Sequence, residues 1–311
     1  MRKRSGKFLF GSPSLVSNLI IIASSAHLSV GVVTHTLWLL KGDETLFRYY
    51  FCYEDPLFLV LCTALEFSLA SVARKQFSHG QLLRRAWLLI TIAAFFHVIG
   101  MILSHIFCTD SYLNPLYALD VSWYKPTKAI LEPVSMFIGG PMHMAVLASG
   151  LFLALRLYRK HGIRRELKGV DWIILGIVIA YTLRVAYVLI RLRLGANPST
   201  RFHLLEALTW ANDSLLCVLL FQAIFLRRSV AQLGWGCVAK CWGAYVIAIF
   251  LTSLGSMGMW ATNFGILPYT ESAVVWYIWP LVYTAYALGP TYQVEASLAA
   301  QARLQELGPN L

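Results

Sequence analysis

Charge is what this sequence has least of. Only 13% of its 311 residues are Asp, Glu, Lys or Arg, while 58% are hydrophobic and the mean hydropathy is +0.63. A water-soluble globular domain of this length does not sustain that balance. Acidic residues are the scarcer sign, 15 against 26 basic ones. On a soluble chain such a surplus would point to nucleic acid; on one this apolar it points to loops beside an anionic leaflet, and no nucleic-acid partner is expected. Motifs are missing too. Neither a phosphate-binding glycine loop, nor HExxH, nor CxxC occurs, which removes Walker-type nucleotide binding, zincin hydrolysis and thioredoxin-like exchange. No repeat, low-complexity tract or Pro/Ser linker divides the chain, so residues 1–311 read as one transmembrane domain.

What remains is apolar runs. Crossing a hydrocarbon core takes roughly 20 residues at about 1.5 Å each, and runs of that order lie near 14–40, 56–73, 86–107, 133–155, 170–190, 203–226, 236–258 and 270–290. The expected fold is therefore all-α: a polytopic integral membrane bundle of about eight transmembrane helices. The first run follows Met1-Arg2-Lys3-Arg4 as a secretory signal would, but it continues past the small residues at Ala23–Ala26 to Leu40 and reads as an uncleaved helix.

Basic residues orient the bundle, because Lys and Arg are retained on the cytoplasmic side. With the N-terminus inside, the outer segments hold only Lys41, Arg48, Lys125, Lys128, Arg191, Arg193 and Arg201. The other loop cations, including Arg74, Lys75, Arg84, Arg85, Arg159 and Lys160, fall inside. Both termini are then cytoplasmic, and short loops on a compact chain suit a bacterial inner (plasma) membrane. Lipid is the expected surrounding, with membrane-complex subunits or a second copy as further partners. The 108–132 loop, rich in Tyr, Trp and Pro, suits a cap at the outer interface, and the tail from about 291 reads equally as an amphipathic surface helix or a solvated end. Cys52 and Cys108 both fall at the outer end, where a disulfide is an option.

The informative residues are ionisable ones inside the runs, since a charge at the bilayer centre costs several kcal/mol unless it faces a partner or a cavity. The first six helices contribute one each to a candidate cluster: His27, Glu66, His97, His143, Arg184 and Asp213. Counted from the outer ends, His27 lies about thirteen residues deep and the others about ten, which places all six at a common level roughly 15–20 Å down. Arg184 needs a carboxylate, and Asp213 is favoured over Glu66 because its helix follows directly and Asn212 can add a hydrogen bond. Gly139-Gly140-Pro141 should kink or break the fourth helix just before His143. Trp276, Trp279, Tyr283 and Tyr286 form an aromatic stripe on the last helix that faces either a quinone or lipid, or simply packs.

Three functional classes follow. The broadest is a polar cluster binding a small ligand, proton or metal, in transport, sensing or as a complex subunit. The second is b-type haem electron transfer: His27 and His35 are matched by His97 and His105 at the same spacing on a parallel helix, offering facing imidazoles at two levels about 12 Å apart. The third is a metal-dependent hydrolase built on His27, His97 and His143 with Glu66 or Asp213, although the HxxxH of ceramidase-type membrane hydrolases is absent from the late helices. A topology reporter tests the frame on which all three rest. Fused after Leu311 or inserted between Arg159 and Arg165 it should report cytoplasm, and near Asn114 the outside; one reversed signal overturns the orientation.

Overall fold

The computed structural model describes residues 14–104 except 44, 124–161, part of 169–183, 200–231, 236–263, and 275–306 except 276. Among these residues every regular element is a helix. In chain order they are α1 (Leu15–Lys41), α2 (Thr45–Tyr49), a π-helical turn (Tyr50–Glu54), α3 (Asp55–Lys75), α4 (Leu82–Ile102), α5 (Tyr124–Phe137), a second π-helical turn (Ile138–Met142), α6 (His143–Lys160), α7 (Thr200–Ala231), α8 (Cys237–Asn263) and α9 (Ile278–Glu306). Among the described residues five stretches are long and apolar enough to cross a membrane: Leu15–Lys41, Asp55–Lys75, Leu82–Ile102, Pro133–Lys160 and Cys237–Gly258. Of the run near 170–190 only parts are described; they expose Trp172, Ile173 and Leu183, while Asp171 is buried and accepts a hydrogen bond from Arg228 on α7.

The packing order closes on itself. α3 lies against α4, α4 against α6, α6 against α7, α7 against α8, α8 against α9, and α9 against α3. α1 packs outside this ring, on α9 and on the α2 segment. The distribution of side chains is the reverse of a soluble protein's: Ile22, Leu40, Leu57, Phe152 and Met257 are exposed, whereas Glu66 and His143 are wholly buried. Lipid satisfies no polar group, so the apolar stripe of each helix turns outward and its polar residues turn into the ring.

Below the level of Glu66 the ring is filled. Trp87, Ile90, Leu147, Leu151, Leu219 and Trp242 are all fully buried there, with the two indoles stacked at 6.0 Å. Small residues bring neighbouring helices together: a β-carbon on Gly255 would meet Trp279 at 3.2 Å, and one on Gly289 would meet Tyr245 at 2.6 Å, locking α8 to α9.

The ends of the helices depart from the sequence expectations. The chain leaves α1 through Gly42, which adopts the left-handed conformation (φ 70°). The Thr45 side chain and N–H then both donate to Asp43 (2.5 and 2.9 Å), holding that carboxyl below its usual value and starting α2. Gly139-Gly140-Pro141 does not break the fourth span; it widens one turn to π, which accommodates the missing proline N–H while the helix runs on. Residues 291–306 of the tail form neither a solvated end nor a separate surface helix. α9 continues through Pro290 to Glu306, and buried Glu295 accepts the Ser17 N–H (3.1 Å), one of the unpaired donors at the start of α1.

α4 and the second π turn touch backbone to backbone. A β-carbon on Gly100 would lie 2.3 Å from the Gly139 Cα and 2.7 Å from its nitrogen. Gly100→Ala must therefore push the two helices apart, an overpacking cost of about 1–3 kcal/mol or more. Thermal unfolding in detergent should show a clear drop in Tm; an unchanged Tm would mean that this approach is not tight.

Candidate metal centre

Three elements meet where Gly100 and Gly139 touch. His97 stands one turn before Gly100 on α4, His143 one turn after Gly139 at the start of α6, and α3 carries Glu66 into the same space. The two imidazoles stack face to face, with centroids 4.3 Å apart and planes 9° from parallel. Glu66 Oε2 lies 3.0 Å from His97 Nδ1, which donates to it when the proton sits there. One ligand-capable atom from each of the three residues falls within 4.8 Å of the other two. A zinc-sized ion at about 2.0–2.1 Å from each ligand would set them roughly 3.3 Å apart, so to close the set the two imidazoles must turn about their soft χ2 torsions from the stacked arrangement until both present a nitrogen edge to the same point.

Hydrogen bonding within the cluster is incomplete. Glu66 Oε1 is buried and reaches no partner, and the buried His143 ring meets no polar group beyond the Gly139 backbone one turn back. Buried polar groups are almost always paired, and leaving one unpaired costs about 1–3 kcal/mol. Unmet polar atoms gathered in one buried place make this cluster the candidate site. Tyrosines wall it: Tyr283 lies 4.9 Å from His97, and Tyr286 stands edge-on to His97 at 5.3 Å and to His143 at 6.0 Å. Tyr283 donates to the Met101 sulfur at 2.8 Å.

The chain matches no known protein family, no curated protein and no solved structure. The reading of the site accordingly rests on its own geometry.

The six residues expected at one level do not all meet. Glu66, His97 and His143 converge; His27 does not join them. Its Nε2 lies 3.0 Å from Asp55 Oδ1 and 2.8 Å from Tyr50 Oη, with the ring stacked on Phe58 at 4.0 Å. Asp55 begins α3, and Glu66 follows on the same helix about 16 Å further along at 1.5 Å per residue. The depth estimate for His27 fails because α2 and the first π turn fold back along α1, so that its middle rather than its end faces the start of α3. Asp213 is half-buried on α7 and stands outside the three-residue cluster. Its expected partner Arg184 lies outside the described residues, as do His105, Cys108 and the Cys52 side chain.

Of the two expected haem levels only His27 and His97 can be compared, because His105, the partner expected for His35, lies outside the described residues. His27 and His97 sit at different levels, and His35 is packed among the rings of Trp38, Phe47 and Tyr277. His97 and His143 stack face to face, whereas two axial ligands must point edge-on at one iron from opposite sides of a porphyrin. The metal-hydrolase set likewise changes membership, losing His27 and keeping Glu66.

Sequence reasoning passed over Asp55, because Asp-Pro at a helix start reads as an ordinary cap, and Tyr50, whose role depends on the π turn. The two polar groups are separable by mutation. His27→Ala leaves Asp55 buried without its imidazole and should destabilise the protein by about 1–3 kcal/mol while leaving whatever metal uptake the Glu66, His97 and His143 candidate site has unchanged. Tm and metal content of the variant check this, and loss of metal would show that the two groups are one site.

Proposed function

We propose that this is an integral membrane metalloprotein in which Glu66, His97 and His143 hold one divalent transition metal inside a ring of six helices. One observation carries the reading: these three side chains, drawn from three separate helices, converge in the buried interior, where Glu66 Oε1 has no partner and the His143 ring meets no polar group beyond the Gly139 backbone one turn back. Two imidazoles and one carboxylate are a ligand set shared by catalytic zinc and non-haem iron sites, and three protein ligands leave a coordination position open for water or substrate.

The packed core below the cluster favours a resident ion over one in transit. Among the described residues a conducting path below the cluster would have to pass the fully buried Trp87, Trp242, Leu147 and Leu151. The open position therefore serves chemistry or sensing at the metal. We further place the chain in a bacterial inner membrane as eight spans with both ends cytoplasmic. Supporting this, Arg74 and Lys75 at the end of α3, Arg84 and Arg85 at the start of α4, and Arg159 and Lys160 at the end of α6 share one end of the bundle.

Protein purified without chelator should bind one equivalent of Zn²⁺, Fe²⁺ or Co²⁺, with Co²⁺ giving visible d–d bands characteristic of nitrogen and oxygen ligands. His143→Ala should weaken binding beyond the about 10–100-fold that loss of a mere outer-shell partner costs. Wild-type protein that binds none of these ions, by elemental analysis and titration, would end the proposal.

A further inference from the structure

The three candidate ligands lie where solvent does not reach. Glu66 and His143 are 0% exposed and His97 5%, and Glu66 stands near the middle of the Asp55–Lys75 span. On one side the Gly100 and Gly139 backbones touch, leaving no room for a β-carbon between them. On the other lies the filled core of Ile90, Leu147 and Trp87. Tyr283 and Tyr286 close the flank formed by α9, and buried Tyr286 stands edge-on to both imidazoles. The Tyr283 hydroxyl fixes its own ring by donating to the Met101 sulfur at 2.8 Å.

These walls select what arrives at an open coordination position. An incoming molecule must shed its hydration shell before it reaches the imidazoles. A charge in the hydrocarbon interior is disfavoured by roughly 100-fold or more, whereas a small apolar molecule moves into it from water favourably. The ion and Glu66 together would carry one positive charge, which would hold an anion once it had arrived. The selection therefore acts on arrival and is read as a rate. Size acts in the same direction. Metal binding requires the two imidazoles to leave their 4.3 Å stack, which uncovers a face of each ring. The space so opened stays bounded by Tyr286 and by the glycine contact.

We propose that the open position on a metal held by Glu66, His97 and His143 takes a small uncharged diatomic gas dissolved in the bilayer, with Tyr286 setting the size limit; this rests on the metal-site reading and makes the resident ion ferrous iron in place of zinc. Binding is a single coordination step. One dative bond forms between the gas and the iron, a bound water leaves where one is present, and no electron or proton passes to a third group. Tyr286 acts as a wall and not as a reactant.

The test uses full-length protein in detergent, loaded anaerobically with Fe²⁺ and mixed with nitric oxide. Bound gas should give the half-integer-spin electron paramagnetic resonance signal of an iron nitrosyl, and its visible absorption gives the association rate. Azide, a small anion, or uncharged imidazole, a ring, is added first for as long as nitric oxide takes to saturate the iron. Neither should change that rate in the wild type. Tyr286→Ala opens a ring-sized space beside polar ligands, which water can fill, and there each competitor should slow nitric oxide by about tenfold. Should Tyr286→Ala fail to hold iron, Tyr283→Ala, which opens the wall 4.9 Å from His97, takes its place. Competition in the wild type would show a site open to water and overturn the proposal. So would competitors without effect in the opened variant, or bound iron that takes up no nitric oxide; each of these leaves the metal site standing. Protein that binds zinc or cobalt but not iron overturns the gas site alone, and protein that binds no divalent transition metal overturns both.

Discussion

Everything at the centre of this protein depends on two backbones touching. Gly100 on α4 and Gly139 in the second π turn approach so closely that no β-carbon fits between them. Histidine side chains are short, and two of them can stack at 4.3 Å only if their helices nearly merge one turn away. The contact thus sets the spacing of the candidate metal ligands before any ion arrives. Preorganisation of this kind is the general requirement for a tight site, because a ligand set that must be gathered at binding loses affinity to the ordering.

The π turns act as a second constraint. Each ends immediately before a polar site residue, Tyr50–Glu54 before Asp55 and Ile138–Met142 before His143. An extra residue in a turn rotates everything after it relative to what came before. In α5 and α6 this keeps the helix intact across Pro141 and still aims His143 at His97. Near Asp55 it turns Tyr50 toward His27 while α3 goes on to deliver Glu66 far deeper. Among the described residues the two histidine groups are therefore separate, one at the middle of the ring and one where α1 docks, and of these two it is the central one that leaves polar atoms unmet.

The aromatic residues divide along the same line. Those near His27 and His35 stack on one another and fix α1 and α2 against the bundle. Those below His143 continue from the cluster into the core with partly unmet polar atoms. The stripe Trp279, Tyr283 and Tyr286 read from the last helix thus turns inward at Tyr283 and Tyr286, which are buried against His97; Trp276 lies outside the described residues.

The sequence by itself determined that the chain is helical and apolar enough to cross a membrane, because each span is a local property: a run of about 20 apolar residues needs no partner to declare itself. It also marked the residues worth attention, since Glu66, His97 and His143 are conspicuous in runs of Leu, Ile and Ala. Which of them meet was decided only by tertiary structure. Depth counted from a helix end misplaced His27, because α2 folds back along α1 and shifts the whole helix against its neighbours. Rotation about each axis decided the rest: two histidines at matching heights face one another only if packing turns them inward together, and that turn is fixed by Gly100 against Gly139, residues with no side chain to announce it.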